Sequence, residues 1–432
     1  MNKKFWLSVL IIGLCSIMFL SGCTKKTGKE NENDDKVHLK MLIAVDEEVF
    51  KNRFKDQISE AFPDINLELM EGNPADINGL QELFAKGDVP DIITVAPSAE
   101  YVEDLDLLMP IDELIEKHKF DLGIFREGIV DDLRTYDPTG EGHLYGLPLE
   151  VGMTAMYYNK DIFDKFGEDY PTDGMTWDEV VDLARKLTDE REGIQYKGMQ
   201  ILNWATNIPY RQLSIPGTDP ETGEVLFADA PLTKQYFDLL ASIRDIPGMQ
   251  EKDEDNPDGF HENKQNIAMW IANATHLPLI APVDGFQFDM VTTPVWKELP
   301  NIGPSAVALS FNITKHSKHP DEAFKVMAHL ASPEGQKVLS YVGSPPTIED
   351  TTIFDEFGGQ ILDQYESDYN ARAPFTQKLA PVPPYSKYDE PLNGFMNGKA
   401  NEFLESNEDS VTFIRKLKDE YETIVKEMQG KE

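Results

Sequence analysis

Between Val37 and Val95 the chain alternates apolar, β-rich runs with helix-patterned stretches, and this alternation restricts the fold more than any other feature. Val37 to Val45 (VHLKMLIAV) is long enough for a strand. Val49, Phe50, Phe54 and Ile58 then recur near helical spacing. Ile65 to Leu69 alternates with period two, the pattern of a half-buried strand, and Asp76 to Lys86 reads as a helix that meets a C-cap at Gly87. Asp91 to Val95 (DIITV) is a short buried strand. Parallel neighbours need a crossover, and the intervening helices supply it. The order strand, helix, strand, helix, strand therefore predicts a parallel, doubly wound α/β sheet.

Later segments carry their own punctuation. Thr176-Trp177-Asp178-Glu179 is a capping box, and Val180, Leu183, Ala184 and Leu187 mark one face of the helix it opens. Ser332-Pro333-Glu334 offers an N-cap, a proline at the first helical position and an acid for the dipole. Val411, Ile414, Leu417, Tyr421, Ile424 and Met428 predict a closing amphipathic helix. The least regular stretches are Asp219–Gly223, Lys252–Gly259 and Pro381–Pro391, and no internal repeat is present. At 432 residues the chain has room for two or three domains.

The beginning of the chain reads as an address. Lys3 and Lys4 precede an apolar run from Phe5 to Leu20, a charged region and hydrophobic region in the order of an export signal. The run is shorter than the roughly 20 residues a spanning helix needs. Leu20-Ser21-Gly22-Cys23 resembles a bacterial lipobox, which implies a signal peptide over 1–22 and lipid on the Cys23 sulfur. Residues 23–36 then form the lipidated cysteine and a flexible polar tether. The expected location is the cell membrane, lipid-anchored and facing outside the cytoplasm.

Composition excludes several function classes. Forty Lys and Arg against 77 Asp and Glu give a net charge of −37, a field that repels phosphate backbones, so nucleic acid is not an expected partner. Cys15 and Cys23 are the two cysteines, so the body offers no disulfide, zinc ribbon or thiol nucleophile. Gly140–Gly146 has the wrong spacing for a dinucleotide fingerprint, and Gly394–Lys399 is one residue short of a P-loop. His316 and His319 lack the glutamate and third ligand of a zinc enzyme. In the acidic stretch Asp253–Gly259, Pro257 occupies a calcium-ligand position and Lys264 stands where the bidentate glutamate belongs. No G-x-S-x-G elbow occurs. The sequence predicts no catalytic residue, no metal site and no cofactor.

Aromatics beside polar groups are present in three stretches: Asn203–Tyr210, Met269–His276 and Pro384–Tyr388. Aromatic faces cover the C–H faces of a sugar ring while amides and carboxylates take its hydroxyls, which suits a neutral, hydroxylated ligand.

Several stretches, in order from about residue 40 to 345, together resemble the extracellular solute-binding proteins of family 1. They are Phe84-Ala85-Lys86-Gly87-Asp88-Val89-Pro90-Asp91-Ile92, Met109–Leu114, Tyr145–Glu150 leading into Tyr157–Phe163, Met175–Glu179, Lys264–Trp270, and Ser317–Phe324 leading to Ser332–Gln336. The resemblance implies a two-lobed, periplasmic-binding-protein-like fold of type II. Each lobe would be a mixed sheet flanked by helices, with a hinge between them: lobe one 37–148 and 311–358, lobe two 149–310 and 359–432. Crossings are expected near Pro148–Glu150, near Ser310–Thr314 and around 350–360. It further implies capture of a solute, most often a sugar, by hinge closure and delivery to the membrane permease subunits of an ABC importer; the expected ligand is a carbohydrate, an oligosaccharide, and the expected state a monomer.

The resemblance places Glu150 just past the first crossing, Trp204 and Tyr210 among the aromatics of lobe two, Trp270 and Asn273 in the segment after Ala268-Met269, and Tyr385 and Tyr388 at an aromatic site late in the chain. In lobe one Asp46 and Glu47 follow the first strand, at a carboxyl end where such folds bind ligands. Departures from the family pattern include Ala96-Pro97-Ser98 after the third strand, with no aromatic residue before Tyr101. Two other readings stand beside this one: a lipid-anchored polysaccharide hydrolase using a carboxylate pair, and the same binding fold with a cationic or peptide ligand, suggested by the charge.

Overall fold

The computed structural model describes residues 36–96, 100–137, 139–201, 206–249, 259–261, 264–305, 308–365, 369–384 and 386–430. Cys23 and the expected tether as far as Asp35, Trp204, Tyr385 and Asp253–Asp258 lie outside the described residues. No described helix is long and apolar enough to cross a membrane.

In chain order the strands are β1 (Val37–Leu42), β2 (Ile65–Met70), β3 (Ile92–Val95), β4 (Gly146–Val151), β5 (Thr154–Asn159), β6 (Asp189–Arg191), β7 (Ile194–Tyr196), β8 (Gln200–Ile201), β9 (Met269–Asn273), β10 (Phe288–Thr292), β11 (Ile302–Gly303), β12 (Ala308–Ile313) and β13 (Lys378–Leu379). Five of them form a first sheet in the order β2-β1-β3-β12-β4, and four form a second, β10-β5-β9-β8. β1 runs parallel to β2 and β3, as the alternation predicts, while β12 is antiparallel to both β3 and β4. The first sheet is therefore mixed, and the carboxyl ends of β1, β3 and β4 share one edge.

The second sheet is covered on both faces. Ala155, Tyr157, Trp270, Ala272, Phe288 and Met290 point into a core that continues to the first sheet. Met156, Tyr158, Met269, Ile271 and Val291 point into a second core built with helices Trp177–Leu187, Pro231–Arg244 and Ser410–Gln429. Successive strand residues alternate faces, so one short run feeds both cores. The cross-strand register agrees: Tyr157 opposes Trp270 and Met290, and Met156 opposes Ile271 and Val291.

Local signals are realised closely in places. Thr176 accepts from the Glu179 N–H at 3.3 Å, and its own N–H donates to the Glu179 carboxylate at 2.8 Å. Ser332 accepts from the Gly335 N–H at 3.3 Å. Asp76 caps Ile77–Ala85, and Gly87 follows at a φ of 75°, a left-handed conformation that glycine adopts without a Cβ penalty.

Other boundaries differ from expectation. β1 ends at Leu42 rather than Val45, because the Val45 N–H turns back to Ile43 O and Asp46 caps the next helix. The expected lobe boundaries at 148/149 and 310/311 fall inside β4 and β12, whose pairing reaches Ala308 opposite Val151. The chain leaves the first sheet at Gly152-Met153 and rejoins it at Ala308. The third expected crossing lies among helices Thr351–Phe354 and Gly359–Tyr365, whose Phe354 and Ile361 join the core shared by both sheets. In the last helix the buried stripe is Ser410, Phe413, Ile414, Leu417, Tyr421 and Val425, whereas Val411 is 51% exposed. Val411 lies one residue, about 100° of helix, beyond Ser410 and off the stripe.

Candidate functional site

At the carboxyl edge of the first sheet, a cleft opens against the residues that follow β8. Its inner cavity, about 230 Å³, is walled by Asp132, Thr135 and Tyr136 on one side and by Asn207, Tyr210, Arg211, Asp389 and Asn393 on the other. An outer cavity of about 740 Å³ runs past Arg126, Glu127, Asp131, Glu349 and Gln377. The two share Asp132, Thr135, Val382, Pro383 and Pro384, so they form one continuous groove.

The inner wall is held firmly. Helix Ile208–Arg211 is tied by the Trp296 indole N–H to Pro209 O at 2.8 Å. It runs into Gln212, whose amide donates to Pro294 O and Ile302 O at 2.8 and 3.0 Å and accepts from Trp177 Nε1 at 2.8 Å. Asn207 Nδ2 donates to Asn393 Oδ1 at 2.5 Å, and the Thr206 hydroxyl donates to Asn397 Oδ1 at 2.8 Å, linking this segment to helix Leu392–Glu405. Tyr210 sits edge-on to Tyr236 with ring centroids 5.4 Å apart. The Arg211 guanidinium donates to Ser305 O.

Two carboxyl groups, one on each side of the inner cavity, are pushed up to about 6 by burial. Asp389 is so placed despite donors from the Thr218 hydroxyl and the Gly217 and Thr218 N–H groups. Asp132, on helix Ile129–Thr135, is 4% exposed; the Arg211 charge and the Ala308 N–H only partly offset its desolvation. Asp132 Oδ2 is buried with no hydrogen-bond partner among the described residues.

The expected site residues separate into groups. Tyr210 lines the inner cavity, and Trp204 and Tyr385, outside the described residues, are near it in sequence. Asp46 and Glu47 are exposed at the carboxyl end of β1, away from both cavities, where Asp46 accepts from the Val49 N–H at 2.8 Å. Trp270 is 2% exposed and stacks on Phe260 at 5.4 Å inside the shared core. Asn273 ends β9, its carbonyl accepting from the Tyr157 hydroxyl at 3.2 Å. Tyr388 is buried in the second core, its carbonyl receiving the Tyr421 hydroxyl at 2.7 Å.

Glu150 is engaged at the first sheet. Its Oε2 accepts from Arg53 Nη2 at 2.8 Å and from the Ser344 hydroxyl at 2.7 Å, with both charged side chains under one-fifth exposed. Glu150→Ala strands a largely desolvated guanidinium, and a stability loss of about 2–3 kcal/mol is expected in urea titration. Ligand affinity should stay within threefold; a larger loss of affinity than of stability would return Glu150 to the cleft.

Sequence reasoning missed Asp132, Arg211, Asp389 and Asn393. Arg211 adjoins the polar-aromatic stretch Asn203–Tyr210, whereas Asp132 is one acid among 77 with no distinguishing neighbour. No described group of three or more His, Cys, Asp or Glu side chains is placed to hold a metal.

The sequence pattern of the bacterial extracellular solute-binding protein family matches residues 45–337. An sn-glycerol-3-phosphate-binding periplasmic protein of Brucella abortus is 27% identical over 214 residues, covering 44% of this chain and 47% of that protein. An arabinooligosaccharide-binding protein of Halalkalibacterium halodurans is 27% identical over 218 residues, covering 48% and 45%. The matched stretches thus span about half the length of these relatives. Among solved structures, an ABC substrate-binding protein from Listeria monocytogenes in complex with cycloalternan superposes with a TM-score of 0.69 at 20% identity, covering 91% of this chain and all of that one. The likeness establishes the fold, two lobes of mixed α/β structure.

Proposed function

The chain belongs to the bacterial extracellular solute-binding proteins, and from that premise we propose that it captures a carbohydrate, an oligosaccharide, in the groove and delivers it to the permease of an ABC importer. Cys23 lipid holds it at the membrane as a monomer, and closure of the lobes over the ligand produces the form the permease engages. Lobe one is 37–151 with 308 to about 350, and lobe two is 152–307 with the chain from about 351 to 432.

The observation that carries the reading is the groove's lining. Tyr136 and Tyr210 offer apolar faces, while Asn207, Asn393, Ser386 and Asp389 offer directed hydrogen bonds. Charge narrows the ligand. Glu127, Asp131, Asp132, Glu349 and Asp389 outnumber Arg126, Arg211 and Lys378 along the two cavities, which disfavours a phosphate-bearing ligand and suits a neutral one. Tyr210 with Trp204 and Tyr385 would stack on sugar, and Asp46 and Glu47 would meet it from lobe one on closure. Glu150, Trp270, Asn273 and Tyr388 hold the frame.

The test is a thermal-shift screen of the form starting at Thr24 against mono- and oligosaccharides, polyamines and peptides. A ligand at a hundredfold excess over its Kd adds about 2.7 kcal/mol to the folded state. A rise with one oligosaccharide series is expected, insensitive to salt and without product formation on long incubation. Turnover would establish the hydrolase reading instead. Flat sugar traces beside a salt-sensitive polyamine shift would replace the carbohydrate with a cation.

A further inference from the structure

Asp132 and Arg211 come from opposite walls of the groove, and each is fixed from behind. Asp132 receives the Ala308 N–H of the first sheet, and Arg211 donates to Ser305 O from a helix that Trp296 and Gln212 pin to the other side. The two charges couple across the inner cavity that both line. One carboxylate oxygen, Asp132 Oδ2, is left buried without a donor among the described residues. A buried acceptor of this kind costs free energy until something donates to it.

The geometry points to a single ligand hydroxyl held between Asp132 and Arg211, donating to the Asp132 carboxylate and accepting from the guanidinium. The assignment rests on the carbohydrate reading above and makes these two residues determinants of its specificity. A hydroxyl is the group that fits, because it carries one donor and free lone pairs at the same atom. An ammonium offers donors alone and faces the Arg211 charge; a carboxylate or phosphate oxygen offers acceptors alone and faces Asp132. Water shares the hydroxyl's character, so it is the competitor the ligand displaces. Because the partners stand on opposite walls, the bridged hydroxyl links the lobes and contributes most when they are closed. Sites built around a buried polar pair reject analogues lacking the matching group far more strongly than apolar pockets do.

The experiment uses calorimetric titration of the wild type, Asp132→Asn and Arg211→Gln with mono- to pentasaccharides of arabinose, xylose, glucose and mannose, and with spermidine. Circular dichroism and the melting temperature of each unliganded variant establish folding. At least one neutral sugar should bind the wild type and lose 30-fold or more in each variant, with the double variant no worse than the weaker single one. Binding of that sugar to Asp132→Asn within twofold of wild type would overturn the assignment and leave the carbohydrate reading standing. If spermidine alone binds the wild type, or nothing in the panel does, the carbohydrate reading and the hydroxyl assignment fall together.

Discussion

Gln336→Leu is expected to lower the urea midpoint by the equivalent of about 3–5 kcal/mol with an unchanged m-value, since three buried backbone groups lose their partner at once. Gln336 is fully buried in helix Pro333–Tyr341. Its Nε2 donates to Leu149 O at 3.3 Å and Leu330 O at 3.1 Å, and its Oε1 accepts from the Thr347 N–H at 2.7 Å and hydroxyl at 3.1 Å. Each of those groups needs the help. The β4–β12 register shifts so that Leu309 opposes Glu150 and Ser310 opposes Pro148, leaving Leu149 as the unpaired residue of a bulge. Pro148 has no N–H for a ladder, which is why the irregularity falls there. Leu330 ends helix Pro320–Leu330, where carbonyls lack helical donors. Leucine has nearly the right shape and none of the hydrogen bonds. A loss below 1 kcal/mol would mean that water replaces the amide.

The same bulge bears on the proposed lobe closure. It sits three residues before Gly152-Met153, where the chain passes to the second sheet, so Gln336 anchors the strand that leads into the crossing to a helix and to the Thr347 segment. Under the lobe closure proposed above, a variant that loosens it should show its effect in the open–closed equilibrium as well as in stability.

What could be read in the sequence was what short spacing encodes. The Thr176 box, the Ser332 cap and the β1–β3 alternation each depend on residues within one turn or one strand, and each is found in place. Tyr210 was reachable because polar and aromatic side chains adjoin it. Contacts across long separations were not legible. Arg53 and Glu150 meet over 97 residues, and nothing near either one announces the other. Trp270 and Tyr388 satisfy the composition of a sugar platform, yet strand alternation turns Trp270 into the shared core and Tyr388 packs under the last helix. Aromatic content alone does not say which face a ring occupies. Asp132 became distinguishable only when folding set its carboxylate opposite Arg211.

That burial gives the second large effect: Asp132→Asn should stabilise the unliganded protein at pH 7.5 by about 1–3 kcal/mol while weakening its ligand binding. The sign follows from the carboxyl's displacement to about 6 by desolvation. A folded-state value above the unfolded one means that the folded protein binds the extra proton between roughly pH 4 and 6, so this group's contribution to stability falls as pH rises through that window. Above it the full penalty remains, and a displacement of about two units corresponds to roughly 3 kcal/mol. Asparagine keeps the shape without the charge, so its advantage should grow between pH 4 and 6, stay constant above pH 6 and vanish toward pH 4. The wild-type minus variant difference isolates this slope from Asp389, which titrates in the same direction. Urea titrations at half-unit pH intervals would read it, and a variant less stable than wild type at pH 7.5 would show that the Arg211 attraction outweighs desolvation. A charge kept in a groove at a cost to the empty fold is the stability–function trade expected of a binding residue, and it is the ligand's hydroxyl that would offset the cost.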